Sequence, residues 1–266
     1  MLQSCAPSCQ ICDSLLYENR CPFHKDEPGI WGPGDLEKTF HRITTDPYIQ
    51  RYYNPTILSS PLVGGPWLVQ LENFVSPEEC ERLIYHGHRL GYKSSQVQSE
   101  NEHGNIEDVY DAARTSQTAW CIEECSLDPF VDAVIARIEN LTGVPRNNSE
   151  ALELLRYEPN QHYREHSDYM SYQLDFPHSV RMMTVFFYLN DPDAGGETYF
   201  PLLDVTVSPK RGRAILWPTV LNDDPFAEDR RLRHEGMDVK HGVKYASIAC
   251  LHQKDWVTPW SRGCAE

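Results

Sequence analysis

The chain has 266 residues, 40% hydrophobic and 24% charged, with 39 Asp and Glu against 24 Lys and Arg and a formal charge of -15. Such a composition suits one large or two small water-soluble domains, and its acidity offers no electrostatic footprint for nucleic acid or anionic lipid, so neither is expected as a partner. No apolar run approaches the roughly 18 residues of a membrane span, and Met1-Leu2-Gln3-Ser4-Cys5 opens without the basic, then apolar, pattern of a signal segment. The chain is therefore expected either to stay in the cytoplasm or to be a form from which a leader is missing.

Four of the nine cysteines crowd the start, at Cys5, Cys9, Cys12 and Cys21. Cross-links there would hold a loop-rich segment with too few apolar residues for its own core, which implies an oxidising compartment. The alternative is a structural zinc on Cys9-x-x-Cys12 and Cys21-x-x-His24, although the gap between the pairs is short for a common zinc module. The sequons Asn140-Leu141-Thr142 and Asn147-Asn148-Ser149 agree with a secretory route. The expected location is the lumen of the endoplasmic reticulum, with the cytoplasm as alternative.

Residues 1–65 carry the clusters Pro28-Gly29, Gly32-Pro33-Gly34 and Gly64-Gly65, show no sustained period, and read as a wrapped extension. At Ser76-Pro77-Glu78-Glu79 an N-cap, a first-turn proline and a glutamate able to reach back predict a helix start. Residues 100–111 are too acidic to bury and predict a loop or lid. Cys121 and Cys125 are expected to pair across a turn, the other reading being two separate buried thiols. A second helix is predicted from Asp128-Pro129, with Val131, Val134, Ile138 and Leu141 as a core stripe, ending at Gly143. From Ala151 onward short β-rich runs follow at 152–157, 182–189, 199–207, 214–217 and 245–251, divided by turn clusters such as Asp191-Pro192-Asp193. That spacing predicts an α+β, mainly β, chain: a jelly roll with helices packed on one side.

The chemistry gathers in His166-Ser167-Asp168. On an extended strand, residues i and i+2 face one side, so an imidazole and a carboxylate can converge on one ion. The pair is weak evidence alone. His234, 66 residues on and beyond the strands that would carry the chain around a barrel, could complete a two-His, one-carboxylate face, the donor set that leaves positions open on Fe(II). Lys244 opens an apolar strand, where an inward ammonium needs an anionic partner; a dicarboxylate cosubstrate would supply one. The bland alternative makes His234 a surface residue beside Arg230, Arg231 and Arg233, and Lys244 a solvated strand end.

The stretch 66–256 resembles the catalytic domain of prolyl 4-hydroxylases, members of the Fe(II)/2-oxoglutarate-dependent oxygenases. The resemblance runs in order through Arg114-Thr-Ser116, Glu150, Tyr157 to Tyr169, Arg181 to Asp191, Gly195-Gly196-Glu197-Thr198-x-Phe200-Pro201, Pro209-x-x-Gly212-x-Ala214, His234 and Gly242-Val243-Lys244. It implies a double-stranded β-helix with its core at about 150–254 and a tail at 257–266. It further implies His166, Asp168 and His234 as iron ligands, Lys244 pairing with the distal carboxylate of 2-oxoglutarate, and Tyr157 and Thr184 lining the cosubstrate pocket. Arg114, Ser116, Glu150 and His252 match peptide-contacting positions, as do Tyr163 and Arg181, the two assigned to the catalytic face.

The implied reaction is procollagen-like hydroxylation of peptidyl proline to 4-hydroxyproline, using Fe(II), 2-oxoglutarate, O2 and ascorbate and releasing succinate and CO2. The alternatives are an oxygenase of the same fold acting on another side chain or a small molecule, and a noncatalytic peptide-binding module. A zinc hydrolase is weaker, because only chance acids such as Glu165 stand near as a base. Two departures bear on substrate. Tyr245 and Cys250 stand where the family usually has tryptophans, and the loop from Asp168 to Arg181 is short.

Overall fold

The computed structural model describes residues 16–22, 27–100 and 106–264. In chain order come α1 (Asp35–Thr45), α2 (Pro47–Tyr53), β1 (Thr56–Ser59), β2 (Leu68–Leu71), α3 (Pro77–Leu90), β3 (Lys93–Ser94), β4 (Val97–Glu100), β5 (Ile106–Val109), β6 (Gln117–Trp120) and α4 (Pro129–Thr142). Then follow β7 (Glu153–Tyr157), β8 (Tyr163–His166), β9 (Arg181–Tyr188), β10 (Ala194–Gly195), β11 (Thr198–Phe200), β12 (Val205–Val207), β13 (Ala214–Pro218), β14 (His234–Gly236), β15 (Val239–His241), β16 (Lys244–His252) and α5 (Val257–Ser261).

Eight strands form an antiparallel major sheet in the order β1-β2-β13-β9-β16-β7-β6-β3, and four form a minor sheet, β12-β11-β14-β8. Strand alternation sorts the apolar residues into two cores. Met183, Val185 and Phe187 of β9, Ala214 and Leu216 of β13, and Ala249 and Leu251 of β16 join residues of α1, α3 and α4 on the outer face. Their neighbours Phe186, Tyr188, Ile215, Trp217 and Ala246 face inward with Phe200 and Val207 of the minor sheet. The result is the jelly roll predicted from strand spacing, with its helices on one side.

Both predicted helices form. α3 opens on a capping box between Ser76 and Glu79, and α4 runs from an Asp128 cap to Gly143 in the left-handed region. Elsewhere the structure departs from expectation. Part of the N-terminal extension is integral to the helical layer: Leu36, Phe40 and Ile43, at helical spacing, are buried in the outer core with Trp31 and Ile49, and β1 adds an edge to the major sheet. The run 199–207 divides into β11 and β12 around Pro201-Leu202-Leu203-Asp204, where proline cannot donate to the ladder. Of the predicted loop or lid, 101–105 lie outside the described residues, while Ile106–Val109 form β5 and pair antiparallel with β4 as an arm, in register Val97↔Val109 and Gln98↔Asp108; two-sided polarity concealed the period.

Cys121 bonds to Cys125, as expected, and Cys21 bonds to Cys264 across 243 residues. The second bond takes Cys21 out of the zinc reading. Cys5, Cys9, Cys12 and His24 lie outside the described residues.

Candidate active site

β8 and β14 pair with His234 directly opposite His166. Register thus joins two histidines that the sequence holds far apart. Asp168, just past the end of β8, completes a group whose donor atoms all lie within 4.8 Å of one another. His166 Nδ1 lies 2.8 Å from the Arg164 carbonyl and His234 Nδ1 lies 3.0 Å from that of Leu232. A carbonyl only accepts, so each Nδ1 donates and each Nε2 keeps its lone pair for an ion. The two Nε2 atoms stand 3.6 and 3.8 Å from Asp168 Oδ1. The other oxygen, Oδ2, accepts from the Thr184 hydroxyl at 2.6 Å.

Charge in the group favours a cation. Burial works against the charge of Asp168, yet His234 and His166, with the Thr184 hydrogen bond, hold its carboxyl well below the usual range. Burial pushes His234 down to about 4, so its ring is neutral. Two imidazole nitrogens and a carboxylate oxygen fit Fe(II) and leave open positions for other ligands.

The chamber facing this triad is lined from β7, β9 and β16 by Leu155, Tyr157, Phe186, Ile248 and Cys250, with Phe186 opposite Ile248 and Cys250 opposite Thr184 in the ladder. Lys244, 1% exposed, sends its ammonium over the rings of Tyr157, Phe186 and Tyr188 at 4.7, 5.3 and 5.4 Å. It makes no salt bridge among the described residues, and burial lowers it to about 7. Gly196, at φ 79°, lets the turn before β11 cross this side chain, since a Cβ there would lie 3.0 Å from Lys244 Cδ. Thr198 also lines the chamber, its hydroxyl 2.7 Å from Tyr188 Oη. A cation, the neutral Tyr157 phenol, pushed up to about 12 by burial, and a threonine hydroxyl suit a carboxylate.

The other residues predicted for the site divide sharply. Tyr163 and Arg181 line the chamber; the Tyr163 ring stacks on His166 at 3.5 Å between centroids. Arg114 also lines it, with its guanidinium over Tyr163, an ion pair to Glu153 and a hydrogen bond to the Gln96 carbonyl at the root of the arm.

Four residues are placed otherwise than expected. Thr184 props Asp168 and is not part of the chamber lining. Ser116, 1% exposed, is not part of the lining; it meets Ser95 and the Tyr157 phenol. Glu150 and His252, 8% and 0% exposed, lie behind Arg181 and are closed to a peptide. Glu150 takes the Arg181 guanidinium with both oxygens, at 2.5 and 3.0 Å, and contacts His252 Nε2 at 2.8 Å. Motif order marked these positions but does not state depth behind the wall.

Sequence reasoning missed Thr198, Phe186, Trp120, Trp217 and Gln98. Trp217 sets its ring edge-on to His234 at 4.7 Å, and Gln98, on the arm, meets the Tyr172 hydroxyl across the mouth. Alternation within β9 and β13 could have placed Phe186 and Trp217; nothing local could have placed the arm.

Comparisons with known proteins converge on one family. Residues 152–252 match the model of the 2OG-Fe(II) oxygenase superfamily. The chain is 32% identical over 205 residues to prolyl 4-hydroxylase 1 of Arabidopsis thaliana, covering 71% of this chain and 70% of that protein. It is 33% identical over 146 residues to prolyl 4-hydroxylase subunit alpha-2 of Caenorhabditis elegans, covering 53% of this chain but only 26% of that longer relative. In fold it is similar to a viral collagen prolyl hydroxylase of Paramecium Bursaria Chlorella virus-1 solved with 2OG, with a TM-score of 0.54 and 24% identity over 70% of this chain and 95% of that one. The chain belongs to the prolyl 4-hydroxylase family of Fe(II)- and 2-oxoglutarate-dependent oxygenases.

Proposed function

We propose that the protein hydroxylates proline within a peptide chain at C4, converting 2-oxoglutarate and O2 to succinate and CO2, with ascorbate keeping the iron ferrous. The observation that carries this reading is Lys244, buried and without a salt bridge among the described residues, on the wall of the chamber that the His166, Asp168 and His234 triad faces. Fe(II) held by the triad would supply the centre at which the 2-oxo acid chelates and O2 is reduced. The protein groups bind, orient and shield. Lys244, with Tyr157 and Thr198, holds the distal carboxylate; Phe186 and Trp217 keep water from the floor.

The peptide would enter between the β4–β5 arm and the segment 170–172, over Trp120 and Leu155. Arg181 has two of its nitrogens on Glu150 and one nitrogen, Nη1, left to donate to a peptide carbonyl. His252 and Glu150 are positioning residues for that guanidinium.

The test is a peptide panel of collagen-like, other proline-rich and proline-free sequences, incubated with Fe(II), 2-oxoglutarate and ascorbate and read by fragment masses. Expected is oxygen added at proline with succinate in equal amount, slowing when ascorbate is withheld. Equal turnover of proline-free peptides would transfer the assignment to an oxygenase of the same fold with another target.

The two disulfides, together with exposed Asn140 and Asn147 in their sequons, support an endoplasmic reticulum location. Protein isolated from its natural host should carry glycan on one of these asparagines; bare asparagines and reduced Cys21 and Cys264 would point to the cytoplasm.

A further inference from the structure

Two cysteines are free among the described residues, Cys80 and Cys250. Both are buried, and burial raises both thiols, Cys80 to about 11 and Cys250 well above its usual value. Neither is a thiolate, so neither invites ordinary oxidants, which act on the thiolate. They differ in place. Cys80 sits on α3 in the outer core. Cys250, 5% exposed, lines the chamber.

Its position there is set by register. Cys250 lies directly opposite Thr184, on the same face of the sheet, which puts their Cβ atoms about 4.5–5.5 Å apart. Thr184 Oγ1 is in turn 2.6 Å from Asp168. The sulfur therefore stands one side chain from a residue of the triad, abreast of it in the row beyond that of Phe186, over which the Lys244 ammonium lies. That unpartnered ammonium, inside the same chamber, independently marks the space as built to receive a ligand. Arg181 lines the same chamber as Cys250 and lies near enough to act on its thiol, so the thiol borders the volume that a peptide would fill.

We propose that Cys250 is a site of self-oxygenation: when the chamber holds 2-oxoglutarate and O2 but no peptide, the oxygen atom destined for a C–H bond is delivered to Cys250 Sγ. The proposal rests on the oxygenase reading above. The atoms balance as they do for a substrate. 2-Oxoglutarate loses CO2 and gains one oxygen atom to become succinate, while the other oxygen inserts into S–H to give a sulfenic acid. O2 accepts four electrons, two from the keto acid and two from the sulfur. No oxidant from bulk solvent is required, which is why burial does not protect this thiol. The added oxygen projects into the peptide's space beside Arg181, so turnover without substrate switches the enzyme off.

The test uses the full chain with Fe(II), 2-oxoglutarate and O2, without peptide or ascorbate. Succinate is measured alongside peptide masses after trapping of sulfenic acid with dimedone. Expected are trapped sulfenic acid at Cys250, an oxygen atom originating from 18O-labelled O2, unmodified Cys80, and loss of the modification when 2-oxoglutarate is withheld or a substrate peptide is present. In Cys250→Ala, succinate accrual should run on past the point at which the original chain stops. Succinate with Cys250 still reduced overturns the proposal, and so does parallel oxidation of Cys80 or oxidation without 2-oxoglutarate, the signature of bulk peroxide. Absence of succinate under every condition, peptide included, would instead bring down the oxygenase reading and this inference with it.

Discussion

The two ends of the chamber treat charge in opposite ways. At the inner end Lys244 is buried with aromatic faces around it and, among the described residues, no carboxylate in salt-bridge reach. Toward the mouth, both lining arginines are neutralised, Arg114 by Glu153 and Arg181 by Glu150. An unpaired buried ammonium destabilises the empty protein, and either loses its proton or is held charged by an anion, so the inner end is organised for an anionic ligand. A paired guanidinium is already compensated and can offer a remaining N–H to a neutral carbonyl. The outer end is organised for peptide backbone.

The floor between the ends serves both, so its loss should have the largest effect. His234→Ala removes a donor of the triad itself and should lower Fe(II) affinity by more than the roughly 10- to 100-fold typical of losing a mere supporting partner. Equilibrium dialysis against Fe(II), with succinate release as second readout, checks it. Affinity retained within that range would mean that His234 does not bind the ion.

Lys244→Met sharpens the contrast itself. 2-Oxoglutarate affinity should fall by about 2–5 kcal/mol, at least 30-fold, because a buried charge partner is lost. The ligand-free protein should melt at a higher temperature, because an uncompensated buried charge is gone. A fall in both would mean that the ammonium has a partner in the empty protein.

The sign of the pH dependence follows. Burial brings Lys244 to about 7 in the folded protein, below its ordinary value of 10.5. Its penalty to folding is therefore full below about pH 7 and fades as the pH rises toward 10.5. A bound carboxylate raises the group again, so 2-oxoglutarate binding above pH 7 takes up a proton and weakens as the pH rises. Calorimetry in buffers of different ionisation enthalpy measures that uptake; no uptake near pH 8 refutes it.

At the outer end, Glu150→Gln leaves Arg181 without its countercharge. We expect kcat/KM for peptide to fall by about 1.5–3 kcal/mol, 10- to 100-fold, the worth of hydrogen bonds to a charged group. KM for 2-oxoglutarate should not move. A purely structural role for Glu150 would lower active enzyme without this separation, and titration of folded sites by 2-oxoglutarate distinguishes the two.

The same contrast explains what the sequence could reveal. His166 and Asp168 were legible because residues two apart in extended chain share a side, although Asp168 lies just past the end of β8, and Lys244 because a charge opening an apolar strand needs a reason. The capping box of α3 was legible because its partners lie three residues apart. Thr184 was placed on the right strand, and Glu150 and His252 beside the right ones, but all three were given the wrong neighbours, because strand order does not state which residues lie behind the wall. Leu36, Phe40 and Ile43 carried a helical period that surrounding glycines and prolines obscured. The arm had no apolar alternation to read; its pairing is held by backbone bonds over a polar surface.

The smallest effect belongs to that arm. Asp108 is exposed at the rim of the chamber, opposite Gln98 in the ladder. Unlike the buried groups it stands in water, so its attraction for a lysine or arginine near the target proline is screened and worth about 0.2–1 kcal/mol, as for exposed ion pairs generally. Such a charge acts mainly on encounter rate and not on the chemical step. Asp108→Asn should therefore raise KM for a lysine-flanked proline peptide a few-fold at low ionic strength and leave kcat unchanged. The difference should disappear as salt shortens the screening length to about 8 Å at physiological strength and less above it. A change in kcat, or one indifferent to salt, would mean that the arm touches the reacting residue, and the division between a charged inner end and a neutral, screened mouth would have to be redrawn.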